Sequence, residues 1–293
     1  MAWRAVWAFL AGAVLVMRPA GAAADTDKDA DTPKVEVETT VASDYIYRGV
    51  SLSERKPTAL SSVEIESRGF YGFAQVESVS LPNNPAAEFT LTGGYRWPFA
   101  DFKFDLGATY FYYPGQVLTG AAPNLNYWEY TLEATHTFKN LAGNDRNVKI
   151  EGTFAYSPDV SGTGAWGAYA EGEVTYDLPK LKLWKPIDWH LIASAGYWRF
   201  GNTSPAQGGF ALPAYTNWRV GLGFDLNDHV TLDLSYYDTN LSREDCFVFT
   251  GDTMATPGGV PNPVSNPDGL RSRLCGASFV ATLSGTFELS DLK

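Results

Sequence analysis

No stretch of the sequence supplies the roughly 20 consecutive apolar residues that a membrane-spanning helix requires. Yet 45% of the residues are hydrophobic and mean hydropathy is only −0.17, so apolar and polar residues must be interleaved. Histidine is scarce, with three in the chain, and there are two cysteines. His136, His190 and His229 are too scattered for metal-ligand spacing, and no Ser or acid stands in sequence where it could complete a nucleophile–base–orienter set. A glycine-rich phosphate loop is also missing. Basic residues are outnumbered 22 to 33 by acids, and the net charge of −11 excludes binding to nucleic acid or a peripheral hold on anionic lipid.

What is present begins with an export signal. Arg4 lies in a short positive start, residues 6–16 form an apolar core, and Ala22, Ala23 and Ala24 offer a small-residue cleavage site before Asp25. Residues 1–24 are therefore expected to be a signal peptide, and residues 25–34 an acidic, flexible mature N-terminus. Export leads to an oxidising compartment, so Cys246 and Cys275 are expected to be bridged, stapling a final loop rich in Pro and Gly.

From Lys34 onward the chain reads as about twelve alternating strands separated by Gly, Pro, Asn and Asp, with no convincing helix. The first strand sets Val35, Val37, Thr39, Val41, Ser43, Tyr45 and Tyr47 against Glu36, Glu38, Thr40, Ala42, Asp44, Ile46 and Arg48. The fourth sets Phe89, Leu91, Tyr95 and Trp97 against Glu88, Thr90, Thr92 and Arg96. The fifth, sixth, eighth and last behave alike; the third and ninth read in either register. Charge falls on one face, with Arg199 the clearest exception.

A soluble barrel with an apolar interior would show the same alternation. Connection length and aromatic placement separate the two cases. With the mature N-terminus on the periplasmic side, the turns at 67–69, 98–101 and 227–228 are short and the opposite connections longer, although 139–147 and 179–187 are long for periplasmic turns. The same assignment puts Tyr45, Tyr47, Tyr110, Tyr112, Trp128, Tyr130, Tyr156, Trp166 and Tyr236 near the external end. It puts Trp97, Phe102, Phe138, Tyr176, Trp189, Phe224 and Phe287 near the periplasmic end, with Leu106, Ala108, Ala168, Leu191 and Ala193 between. Two aromatic girdles around an aliphatic band suit rings at two headgroup layers. The expected fold is thus all-β, an antiparallel transmembrane barrel over residues 35–293 in the outer membrane of a Gram-negative bacterium.

Several motifs carry a family resemblance. They are Ser43-Asp44-Tyr45-Ile46-Tyr47-Arg48-Gly49-Val50-Ser51, Gly69-Phe70-Tyr71-Gly72, and Tyr110-Phe111-Tyr112-Tyr113-Pro114-Gly115 with Asn126-Tyr127-Trp128-Glu129 after it. Ala155-Tyr156-Ser157-Pro158-Asp159 and Tyr236-Tyr237-Asp238-Thr239-Asn240 complete the set. In this order they resemble the TorF-type porin family, also catalogued as Gcw_chp and of largely unknown function. The resemblance implies an outer-membrane barrel of porin type and supplies no substrate.

In this register Asp44, Glu64, Glu66, Asp105, Glu129, Glu133, Glu151, Glu171, Glu173 and Asp233 line the interior together with Arg48, Arg96, Lys103, Lys149 and Arg219. An acid-rich wall concentrates cations and repels anions, although such charges also pair across strands simply to fill a narrow barrel. Twelve strands lie between filled eight-stranded barrels and open porins, so loops could plug the bore. The aromatics of residues 110–115 are expected in the external girdle. The reading is a porin-like channel for small hydrophilic solutes with a cation preference, in contact with outer-membrane lipid. It calls for no catalytic residue, cofactor or metal. The alternatives are a non-conducting adhesin or scaffold, and an outer-membrane lipid hydrolase.

Overall fold

The computed structural model describes residues 33–118, 122–141, 146–182, 186–252, 255 and 270–289. The signal peptide expected at 1–24, nearly all of the acidic stretch at 25–34 and the Pro/Gly-rich part of the last loop lie outside them.

The strands are β1 (Lys34–Ala42), β2 (Ile46–Tyr47), β3 (Val50–Ser51), β4 (Thr58–Ser67), β5 (Phe70–Glu77), β6 (Glu88–Phe99), β7 (Phe102–Tyr112) and β8 (Tyr127–Phe138). They continue with β9 (Val148–Ser157), β10 (Gly167–Asp177), β11 (Leu181–Lys182), β12 (Pro186–Phe200), β13 (Tyr215–Asn227), β14 (Val230–Thr239) and β15 (Ser278–Glu288). Twelve of these, all but β2, β3 and β11, pair antiparallel with their sequence neighbours. The β10–β12 and β1–β15 pairings close the ring. Closure removes both sheet edges, which is the condition for strands to satisfy their backbone in hydrocarbon. Among the described residues no helix is long and apolar enough to cross a membrane.

Burial alternates with the pleat. Along β6, Glu88, Thr90 and Thr92 are buried while Phe89, Leu91 and Gly93 are exposed. The outward face is apolar nearly throughout: Val63, Ile65, Leu91, Leu106, Leu132, Val220, Leu234 and Leu283 are all exposed. No water-soluble fold leaves so continuous an apolar surface open. Rings crowd its two ends. Tyr110 packs on Trp128 and Tyr236 on Phe279 at the loop end; Tyr95, Trp97 and Phe104 stack in a row at the turn end. The two ambiguous registers resolve with Phe70, Gly72, Ala74 and Val76 outward on β5, and with Trp189, Leu191, Ala193, Ala195, Tyr197 and Arg199 outward on β12.

Three expectations fail at the loop end. The first strand stops at Ala42 instead of running on to Arg48. Its continuation folds inward as the β2–β3 hairpin, so Tyr45 and Tyr47 are buried at 5% and 3% exposure and do not join a girdle. Phe111 and Tyr113 likewise turn inside, while Tyr110 and Tyr112 stay on the outer face. The last loop also holds a helix, α1 (Arg243–Thr250). Ser242 caps it, its Oγ accepting from the Asp245 amide at 3.0 Å while its hydroxyl donates to the Asp245 carboxylate at 2.8 Å.

Candidate functional site

The interior divides into two unlike halves. At the loop end the infolded segments build a dry plug whose core comprises Tyr45, Tyr47, Val50, Leu52, Phe111, Tyr113, Tyr127, Tyr169, Trp198, Phe200, Tyr215 and Phe249. Burying such rings, each with about 150–250 Å² of surface, is the dominant force holding loops inside a barrel. The Cys246–Cys275 disulfide forms as expected and lies within this core.

Polar anchors fix the hairpin. Asp44 accepts from Ser51 at 2.6 Å, from Ser53 at 2.8 Å and from Ser278 on β15 at 3.4 Å. Burial pushes its carboxyl above the usual range, and the Ser51 and Ser53 hydroxyls pull it part of the way back. The phenols of Tyr45 and Tyr113 donate to the two oxygens of fully buried Glu88, at 2.9 and 2.6 Å. Burial, and then the neighbouring carboxylate, push both phenols well above the ordinary tyrosine value.

Arg48 is the centre of the plug. Its φ of 47° and that of Gly49, 82°, turn the chain sharply, and at Gly49 a Cβ would stand 2.3 Å from Thr239 Cγ2. The guanidinium forms a two-pronged ion pair with Glu129 on β8, at 2.9 and 2.8 Å. It also lies over three rings: Tyr169 at 4.0 Å, Trp198 at 4.2 Å and Tyr47 at 4.6 Å from the centroids. Burial works against its charge, but Glu129 beside it holds the proton more firmly than usual.

Below the plug the bore is polar and partly wet. Arg96 bridges Glu64, Glu66 and Asp105, and lies 4.0 Å over the Tyr71 ring. Arg219 pairs with Asp233 at 2.7 Å and approaches Glu173 at 3.8 Å, while Lys149 meets Glu151 at 3.1 Å. Side-chain exposure is 27% for Arg96 and 24% for Glu64, against 9% and 7% for Arg48 and Glu129. Water therefore reaches the turn-end half and is excluded from the loop-end half.

Each interior residue expected from the alternation points inward. Asp44 and Arg48 do so from the hairpin, and Glu64, Glu66, Arg96, Lys103, Asp105, Glu129, Glu133, Lys149, Glu151, Glu171, Glu173, Arg219 and Asp233 from the wall. They gather into separate clusters and do not share one site. The aromatic members, Tyr71, Tyr169 and Trp198, were not foreseen. Tyr169 alternates with Glu171 and Glu173 on the polar face of β10, which was the available signal; Trp198 was hidden by the open register of β12. Of the histidines, His136 sits on the outer face against Phe102, and His229 bonds the Thr286 carbonyl at the turn end. His190 faces inward, 3.9 Å from Asp225, beyond hydrogen-bond reach.

A closed barrel with an apolar belt, a charged lumen and loops packed into one mouth is the architecture of a β-barrel membrane protein. The chain belongs to the Gcw_chp family, described as bacterial proteins of unknown function, whose model matches residues 27–256. No curated protein matches it. Among solved structures it is similar to the NanC porin at 11% identity over 86% of this chain and 98% of that one, with a TM-score of 0.44. LpxR from Salmonella typhimurium follows at 9% identity over 86% and 99% of the two chains, TM-score 0.42. An outer-membrane channel from Pseudomonas putida F1 shares 11% identity over 90% and 100%, TM-score 0.40.

Proposed function

We propose that this protein is an outer-membrane, porin-type channel for small hydrophilic solutes, with a preference for cations, and that its loop end is closed in the state described. A secretory signal would deliver it to the outer membrane of a Gram-negative bacterium, where lipid contacts the apolar belt. The single observation that carries the reading is the lumen wall. Glu64, Glu66, Asp105, Glu151, Glu173 and Asp233 surround the few cations Arg96, Lys149 and Arg219 in a partly wetted bore. Fixed negative charge in a narrow aqueous space raises local cation concentration. The lumen supports transport better than it supports catalysis, since the inward-facing histidine lacks a hydrogen-bonded acid.

Reconstitution into planar bilayers tests this. The wild type should open rarely, a variant with its plug loosened should open often, and reversal potentials in a salt gradient should report cation preference. Anion selectivity would overturn the preference. Silence from both proteins, with folding intact, would favour a non-conducting scaffold, the reading that the tightly packed plug otherwise supports.

A further inference from the structure

We propose that Glu129, Tyr169 and Trp198 on the barrel wall form a binding site for solutes bearing a guanidinium group, which Arg48 of the hairpin fills while the channel is closed. The inference rests on the channel reading for its physiological sense, though not for its test.

Three observations support it. The wall part of the site is assembled without the hairpin. The Tyr169 hydroxyl is held by Glu171 at 2.5 Å and Asn217 at 3.2 Å, and its ring meets Trp198 edge-on at 5.8 Å. Trp198 in turn packs on Phe200 at 4.9 Å, and Tyr169 occupies space that Gly196 leaves open, where a Cβ would stand 2.1 Å from its hydroxyl. Removing Arg48 would therefore leave two fixed ring faces and a carboxylate around a vacated slot.

The second observation is the chemistry of that slot. A planar cation can present its edge to the Glu129 fork and its faces to aromatic rings at once; a tetrahedral ammonium cannot satisfy both. Glu171, anchored beside Tyr169, adds a second negative charge. The third observation is how Arg48 arrives. It sits at a left-handed backbone position next to a glycine that no other residue could replace without a clash. A side chain delivered on so constrained a turn is easier to displace than one on a relaxed strand. An incoming solute that wins this slot would release the hairpin tip, coupling recognition to opening.

The test uses the full-length Arg48→Ala barrel in detergent, with ethylguanidinium and ethylammonium at millimolar concentration and sodium chloride as a salt control. Ethylguanidinium should change tryptophan fluorescence saturably and raise Tm. Ethylammonium should bind about tenfold more weakly or worse, for want of the planar fork. Adding Glu129→Gln should abolish the ethylguanidinium response. Equal responses to both amines and to salt, or no saturable response from a variant whose folding is verified by gel mobility, would overturn the proposal. Should Arg48→Ala fail to fold, Arg48→Gln serves in the same arms. The wild type offers a further readout: agmatine on the loop side should raise opening frequency in bilayers, whereas choline should not. Binding without conductance would leave the site standing and sink the channel; conductance without binding would do the reverse.

Discussion

Replacing Cys246 and Cys275 together by alanine should loosen the plug while leaving the barrel intact. The two are 29 positions apart, and the bridge ties the end of the last loop to α1. Freeing a loop of that length restores about 3.6 kcal/mol of chain entropy at 25 °C to the opened state in the loop-closure model. That corresponds to about a 400-fold larger population of molecules with the loop undone. The twelve wall ladders contain neither cysteine, so the opening is local. Hydrogen exchange separates the two parts. Amides of Phe249 and Gly251, whose carbonyl partners lie within α1, should exchange up to about 400 times faster in the variant, while those of Leu132 and Ala134 on β8 keep their rates. If α1 accelerates by less than about tenfold, the bridge is not what holds the helix down. If the wall strands accelerate in step, plug and barrel unfold as one unit and the division proposed above is wrong.

Three other perturbations probe the same architecture. Glu88→Ala strands two buried phenols, which should cost about 2–5 kcal/mol of plug stability in chemical unfolding, whereas Glu88→Gln keeps an acceptor and should lose less. Equal losses would mean that the hydrogen bonds are immaterial. Gly49→Ala places a Cβ against Thr239 and strains a positive φ, so loop-end stability should fall by about 1–3 kcal/mol. Gly152→Ala, on the outer face with open space around it, should change stability by less than about 0.5 kcal/mol, and a loss matching that of Gly49→Ala would refute the contrast. Arg96→Met removes the cation shared by Glu64, Glu66 and Asp105; reversal potentials should shift toward stronger cation selectivity, and a shift toward anions would contradict the acid-rich lumen.

Wall strands were legible in the sequence because one physical rule governs all of them. Each must set apolar side chains toward one medium and polar ones toward another, and a period of two is unmistakable over ten residues. The plug obeys no such rule. Ser43-Asp44-Tyr45-Ile46-Tyr47-Arg48 prolongs the alternation of β1 without a break, so periodicity alone carries the strand past its real end. What ends it is local: Asp44 engages Ser51 and Ser53, and the backbone turns at Arg48 and Gly49. Gly49 was the visible hint. Phe111 and Tyr113 were misplaced because one face of an all-aromatic run looks like the other until its burial is known. The helix α1 is only two turns long, too short for a 3.6-residue pattern, and only its Ser242 and Asp245 cap advertised it. Wall charges were found by alternation; the rings over Arg48 were not, since a tyrosine reads equally well as girdle or lumen.

Because β1 pairs with β15, the cylinder cannot be sealed until the final strand of the chain is made. Before that moment the wall is a curled ribbon with two raw margins, β1 and β14, open to any stray strand. The hairpin hangs from one of those margins, and its root is stitched to the last strand: the Ser43 amide donates to the Ala281 carbonyl at 2.9 Å, and the Ala281 amide donates to the Ser43 hydroxyl at 3.0 Å. The cork can thus be laid in sideways while the seam gapes, and the zipping of the seam then traps it. A chain truncated before Ser278 would forfeit both, leaving an unseated hairpin beside an adhesive margin, and should accumulate as aggregate instead of as a leaky barrel.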